Sequence, residues 1–165
     1  MKYIYPIKKL FYLSKKFSDL VAVDQEDQSY SYNDFTNMTI NLSKKILAVN
    51  KRPTVVIIGE KNILSYVSMF AVLLSGGTYI PISSKLPINR MIKIISSTKV
   101  DIIICQKKNL VILKKKFNNK TILTEEVLLK KNSAHPKVTK INKLAYIIFS
   151  YGSTGEPKGV CISRK

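Results

Sequence analysis

The chain has 165 residues, 45% hydrophobic and 23% charged, the proportions of an ordinary globular domain and not of a disordered or low-complexity one. Its formal net charge is +18, but only Arg52, Arg90 and Arg164 are arginines, and the lysines are spread through both halves in pairs such as Lys8-Lys9 and Lys107-Lys108. Neither the arginine forks of base readout nor aromatics interleaved with charge are visible along the chain, so the distribution reads as solvated lysine-rich helix faces and argues against nucleic acid as the partner.

Met1 to Leu20 carries Lys2, Lys8, Lys9, Lys15 and Lys16, which interrupt any apolar core and make it a poor signal peptide. Within it, Ile7 to Leu20 reads as a short amphipathic helix. Val21 to Val23, the polar turn Asp24 to Gln28, and Ser29 to Tyr32 read as a small hairpin. Ser31 or Asn33 can cap a helix over Tyr32 to Val49, with Phe35, Met38, Leu42, Ile46 and Val49 on its apolar face. Thr54 to Ile58 is a continuous apolar run, the signature of a strand buried on both faces. Asn62 caps a helix over Ile63 to Ser75 that the Gly76-Gly77 pair stops, with Met69 and Phe70 in its core-facing set.

Thr78 to Ile82 is a further strand, and Pro87 opens a helix running to Thr98. Val100 to Cys105 repeats the fully apolar strand pattern. Lys107 to Lys116 is a basic helix or loop, its lysines a solvated face. Lys120 to Leu123 is a short strand. Residues 130–143 read as a linker, and the only histidine, His135, sits there beside Pro136 as a surface residue and not a base. Leu144 to Phe149 is the last long strand. Alternation of apolar strands with helices predicts an α/β fold with a largely parallel sheet flanked by helices, in one domain over residues 1–165. No run reaches the length of a membrane span, so no membrane partner is expected. Cys105 and Cys161 show neither disulfide nor metal spacing; both read as reduced and buried strand residues, and the setting as cytoplasmic.

Chemistry concentrates after Phe149. Ser150, Tyr151, Gly152, Ser153, Thr154 and Gly155 follow a buried strand, and Lys158 comes three residues later. Ligands in open α/β sheets bind at the carboxyl ends of strands. Glycines let backbone N–H groups turn toward an anion, the hydroxyls of Ser150, Ser153 and Thr154 add donors, and Lys158 adds positive charge. Such a set suits a triphosphate or pyrophosphate. The common P-loop spacing is absent, because Pro157 precedes the lysine and Gly159 follows it, leaving no hydroxyl placed for magnesium.

Ala145 to Ser163 closely resembles the phosphate-loop signature of the AMP-binding, adenylate-forming superfamily. It is most similar to the amino-acid-activating branch: nonribosomal peptide synthetase adenylation domains and D-alanine–carrier-protein ligases. Leu73-Leu74-Ser75-Gly76-Gly77-Thr78-Tyr79-Ile80-Pro81-Ile82 resembles that branch's upstream motif, Leu86-Pro87-Ile88-Asn89-Arg90 the start of the next helix, and Ser29-Tyr30-Ser31-Tyr32 the entry to the early helix. The resemblance spans Phe11 to Ser163 in the family's order. One departure stands inside the loop, where family members carry a small residue in place of Tyr151.

The resemblance implies the N-terminal part of the family's large domain, and a ligase that activates an amino acid or other carboxylic acid with ATP as an acyl-adenylate. Phosphopantetheine on a carrier protein is the implied acceptor, and magnesium the partner of ATP. Ser150, Tyr151, Gly152, Ser153, Thr154, Gly155 and Lys158 would hold the nucleotide's phosphates; no metal ligand and no catalytic residue is assigned. The family's adenine-stacking aromatic, its ribose-binding acid, its substrate pocket and its C-terminal-lobe lysine have no counterpart in these 165 residues. The chain is therefore expected to be inactive alone: a relic of a longer gene, or one half of a split enzyme partnered by the missing C-terminal part. The alternative is a non-catalytic basic α/β module that binds an acidic partner such as nucleic acid.

Overall fold

The computed structural model describes residues 5–25, 28–129, 136–138, 140–151 and 157–164. Helix α1 (Tyr5–Lys16) buries Ile7 and Leu10 and ends four residues short of the predicted Leu20. Strands β1 (Val21–Gln25) and β2 (Gln28–Ser31) pair antiparallel, as the alternating pattern predicts; Glu26 and Asp27 of the predicted turn lie outside the described residues.

Helix α2 (Tyr32–Val49) begins with a reciprocal cap. The Asp34 N–H donates to Ser31 Oγ at 3.1 Å, and the Ser31 N–H donates back to Asp34 Oδ2 at 3.1 Å. Two of the helix's unpaired N-terminal donors are thereby satisfied. Ser31→Ala removes the acceptor, and urea denaturation is expected to show a loss of about 1 kcal/mol. Of the predicted apolar face, Phe35, Leu42 and Ile46 are buried, while Val49 is exposed because the last turn runs past the core.

Strand β3 (Thr54–Gly59) leads through Asn62, whose side chain accepts from the Ser65 N–H at 2.9 Å, into α3 (Ile63–Leu74). Phe70 meets Phe35 edge-on, with ring centroids 5.3 Å apart, and Met69 and Phe70 are half-buried on the rim of the core. Next come β4 (Thr78–Ser83), α4 (Ile88–Ser96) and β5 (Ile102–Cys105). Pro87 stands just outside α4 at its cap position, with no side-chain hydrogen bond to offer. The basic stretch begins as a 3₁₀ turn and becomes helical in α5 (Leu110–Lys116), followed by β6 (Thr121–Leu123). A 3₁₀ turn at Glu125–Leu129, which the sequence pattern does not reveal, leads out of β6.

The last two strands are β7 (Leu144–Tyr151) and β8 (Pro157–Ser163). The main sheet has the order β6-β5-β3-β4-β7-β8 and is parallel except for β8, which turns back antiparallel on β7. Helices cover both faces of this sheet. On one face Leu64, Val67, Ala71 and Val72 of α3, with Leu42 and Ile46 of α2, cover Val55, Ile57, Ile102 and Ile104. On the other, Met91, Ile94, Ile95 and Leu113 cover Val56, Ile58, Ile80 and Ile103. That two-sided burial is why β3 and β5 are continuously apolar; each fully buried side chain of this kind contributes about 1.5–3 kcal/mol.

Within residues 130–143, positions 130–135, including His135, and 139 lie outside the described residues. The end of that stretch is tied to the sheet: the Asn142 N–H donates to Gly76 O at 2.8 Å, and its Nδ2 donates to Pro53 O and Thr78 Oγ1, both at 3.2 Å. The glycine pair makes room for this passage. Gly76 has φ +76°, and a Cβ on it would lie 2.6 Å from Lys140 O; a Cβ on Gly77 would lie 2.6 Å from Pro53 O. The pair therefore stops α3 and also lets three backbone segments meet.

Candidate functional site

Residues 150–158 span the turn between β7 and β8. Because β7 runs parallel to β4, this turn lies at the carboxyl edge of the sheet, beside the β3–α3 and β4–α4 connections. Of the residues singled out from the sequence, Gly152, Ser153, Thr154 and Gly155 lie outside the described residues, as does Glu156. Tyr151 closes the ladder opposite Pro157 through its backbone.

Ser150 and Lys158 are brought together. They stand directly opposite each other in the antiparallel register, and both side chains are exposed. Directly paired residues point to the same side of a sheet with their Cβ atoms about 5 Å apart. A hydroxyl and an ammonium thus flank the two ends of the Ser/Gly/Thr loop. Alternation sends Ile147 and Phe149 the other way, toward the core on the sheet face that α4 and α5 cover. Gly159, opposite Phe149, keeps the strand pair level there: its Cβ would stand 3.3 Å from the Phe149 ring and 3.1 Å from Ile147 Cγ2.

Three further features at or near this hairpin escape sequence reading. Lys61 follows β3 and Lys85 follows β4, so two more lysines share the carboxyl edge with Lys158. Their spacing in the chain hides this, because only the strand order makes them neighbours of the loop's edge. Between them, Glu60 accepts hydrogen bonds from Ser84 Oγ at 2.8 Å and Ser83 Oγ at 2.9 Å. These hydroxyls, Ser84 first, hold its carboxyl below the usual carboxylate range, with a smaller pull from Lys85.

At the other end of the hairpin, Arg164 is half-buried, and burial lowers its pKa. Its guanidinium donates to the carbonyls of Leu144, Leu73 and Gly77, and its N–H donates to Lys143 O at 3.1 Å. Leu73 O belongs to the last turn of α3, where a cation is favoured. Arg164 therefore fastens the end of β8 to the start of β7 and to the α3 terminus. Tyr146 of β7 stacks on Tyr79 of β4 at 5.2 Å, and burial, with a lesser contribution from Tyr146, raises the Tyr79 phenol.

Both thiols are free. Cys105 is buried, and desolvation, with the Glu125 charge second, pushes it up to about 11. Cys161, predicted buried, is exposed. β8 is the last strand of the sheet, with a neighbouring strand on one side only, and Cys161 there and Val160 beside it meet solvent. Among the described residues no group of three or more His, Cys, Asp or Glu could hold a metal ion. No described helix is long and apolar enough to cross a membrane.

Comparison with known proteins matches this geometry to a family. The model of the AMP-binding enzyme family covers residues 12–165. Tyrocidine synthase 1 of Brevibacillus parabrevis is 30% identical over 92% of this chain, which spans 14% of that protein. The D-alanine–D-alanyl carrier protein ligase of Lactococcus lactis is 28% identical over 95% of the chain, which spans 32% of it. Among solved structures, the nonribosomal peptide synthetase FmoA3 in its α-methyl-L-serine-AMP bound form superposes with a TM-score of 0.80 at 21% identity, over 96% of this chain and 18% of that one. Its AMPPNP bound form gives 0.77 at 20% identity, covering 96% of this chain and 17% of that one. The fold is thus that of the N-terminal part of the adenylate-forming domain, and the chain belongs to the AMP-binding enzyme family.

Proposed function

We propose that residues 150–158 hold the β- and γ-phosphates of ATP in a ligase that activates an amino acid or other carboxylic acid. The observation carrying this reading is the direct pairing of Ser150 with Lys158 at the carboxyl edge of the sheet, in a chain of this family. In the reaction a carboxylate oxygen attacks the α-phosphorus, the bond to the bridging oxygen breaks, and pyrophosphate leaves. The acyl-adenylate then passes its acyl group to a thiol, releasing AMP; phosphopantetheine on a carrier protein is the acceptor in this reading. Lys158, the Ser150 hydroxyl and the loop's N–H groups stabilise the charge that gathers on pyrophosphate, a role worth about 3–4 kcal/mol for a well-placed donor. Magnesium would come with the phosphates of ATP and neutralise part of their charge.

The carboxylate pocket, the adenine site and the acyl-transfer machinery are assigned to no residue among these 165, and the exposed pair Ile148 and Val160 offers an apolar face for the remainder of such an enzyme. We therefore read the chain as inactive by itself. The two free thiols support a reducing, cytoplasmic setting.

Titration of the 165-residue chain with ATP and AMP, followed calorimetrically, tests the site. ATP is expected to bind at least about tenfold more tightly, because AMP lacks the two phosphates the loop would hold. Equal affinities would remove the phosphate reading. In the same preparation no carboxylate-dependent ATP–pyrophosphate exchange is expected, and measurable exchange would overturn the inactivity of the chain alone.

A further inference from the structure

Helix α1 carries a surface that the nucleotide site does not use. Its sequence contains four lysines and no acid. At 3.6 residues per turn, Tyr5, Lys8, Lys9, Tyr12, Lys15 and Lys16 fall within an arc of about 120°. All six are exposed, Tyr5 at 75% and Tyr12 at 53% of their surface. The opposite arc holds Ile7 and Leu10, which are buried. Helical geometry therefore gathers these two tyrosines and four lysines on one face. Lys9 Nζ and Lys16 Nζ lie 5.2 Å and 5.9 Å from the centre of the Tyr12 ring, which holds the face in a defined arrangement.

Beside this face lies an open groove of about 530 Å³. Leu10, Leu13, Val23, Phe35 and Phe70 line it, and Lys9 and Tyr5 belong to both the groove and the basic face. An apolar recess continuous with a row of lysines is complementary to one kind of ligand. We propose that α1 and this groove form a docking surface for an acidic amphipathic segment of a partner protein, its apolar stripe in the groove and its carboxylates against Lys9 and Lys16, the lysines of the face nearest the groove. This is the helix-in-groove mode of recognition. A nucleic acid could set phosphates on the lysines and stack a base on an exposed ring, but flat bases with polar edges fill a recess floored by Leu10, Leu13, Ala22 and Val23 less well than branched aliphatic side chains do. A bilayer would meet the lysines but cannot follow a groove between helices. The one acid just past the helix, Asp19, accepts a hydrogen bond from Ser18 Oγ at 2.7 Å.

The test uses the 165-residue chain and a fluorescent peptide of about 14 residues with leucines at helical spacing and glutamates between them. Three probes stand beside it: the same peptide with serines for leucines, a single-stranded oligonucleotide, and phosphatidylglycerol vesicles. The leucine peptide is expected to bind at least about tenfold more tightly than the serine peptide, and the Lys9→Glu/Lys16→Glu double variant to lose about tenfold. A Lys114→Glu/Lys115→Glu variant on α5 should bind as the unaltered chain does, and circular dichroism should show all variants folded. The proposal is overturned if leucine and serine peptides bind alike, if the α5 variant loses as much as the α1 variant, or if only oligonucleotide or vesicles are retained.

Discussion

Lys158→Ala is expected to cut ATP affinity of the 165-residue chain by roughly 10- to 100-fold, the largest functional loss from any single exposed side chain. A hydrogen bond to a charged group contributes about 1.5–3 kcal/mol, and each 1.4 kcal/mol is a factor of ten. Ser150→Ala, directly opposite, should cost only a few-fold, because a neutral hydroxyl contributes about 1 kcal/mol. The control matters in a chain of net charge +18, where any lysine adds to a general attraction for ATP. Lys115→Ala on α5 removes the same charge from a distant exposed face and should leave affinity nearly unchanged. Calorimetric titration of the three variants at one ionic strength decides the matter. Equal losses in Lys158→Ala and Lys115→Ala would mean that ATP senses overall charge, and the loop would lose its assigned role.

Gly77→Val should be the most damaging substitution to stability, at about 3–5 kcal/mol. The reason is the identity of the neighbours. A Cβ on Gly77 would lie 2.6 Å from Pro53 O and 2.7 Å from Pro53 Cγ. Pro53 O already accepts from the Thr78 N–H at 2.9 Å and from Asn142 Nδ2 at 3.2 Å, so pushing it aside breaks the junction where β4 starts and the chain enters β7. Gly159→Ala offers the contrast. Its new methyl would meet side-chain atoms of Ile147 and Phe149 at 3.1–3.3 Å, which can yield by small rotations. A loss near 1 kcal/mol is expected there. Guanidinium denaturation of both variants measures the difference, and a Gly77→Val chain as stable as the unaltered one would refute the close-packed junction.

The exposed surfaces fit the same picture. Ile148 and Val160 sit opposite each other on β7 and β8 with about half of their surface in solvent, at 49% and 54%. Ile102, Ile103 and Ile104, of similar chemistry, are fully buried. The difference lies in position: β5 is an interior strand with α-helical layers on both faces, and β8 is the edge.

Local chemistry made much of the fold legible. The apolar runs Thr54 to Ile58 and Val100 to Cys105 could be read as doubly buried strands, seen as β3 and β5, because continuous apolar, largely β-branched sequence suits that environment. Ser31 and Asn62 announced their helices because a cap is a short-range hydrogen bond between residues three apart. The stretch at 150–158 could be singled out because its glycines, hydroxyls and lysine lie close together in the chain. By itself, then, the sequence determined the helices, the parallel strands, the family, and the stretch at 150–158.

Tertiary structure alone decided what depends on residues distant in the chain. The antiparallel return of β8 set Ser150 against Lys158, and the strand order brought Lys61 and Lys85 to the same edge. Cys161 shares the apolar strand pattern of Cys105, yet one is exposed and the other buried, because burial comes from what packs over a strand and not from the strand. The glycine pair reads in sequence as a helix stop; that it also admits Lys140 and Pro53 follows from contacts tens of residues away. Short-range hydrogen bonds and side-chain shape are written in neighbouring residues, whereas register, edge and junction exist only once remote segments meet.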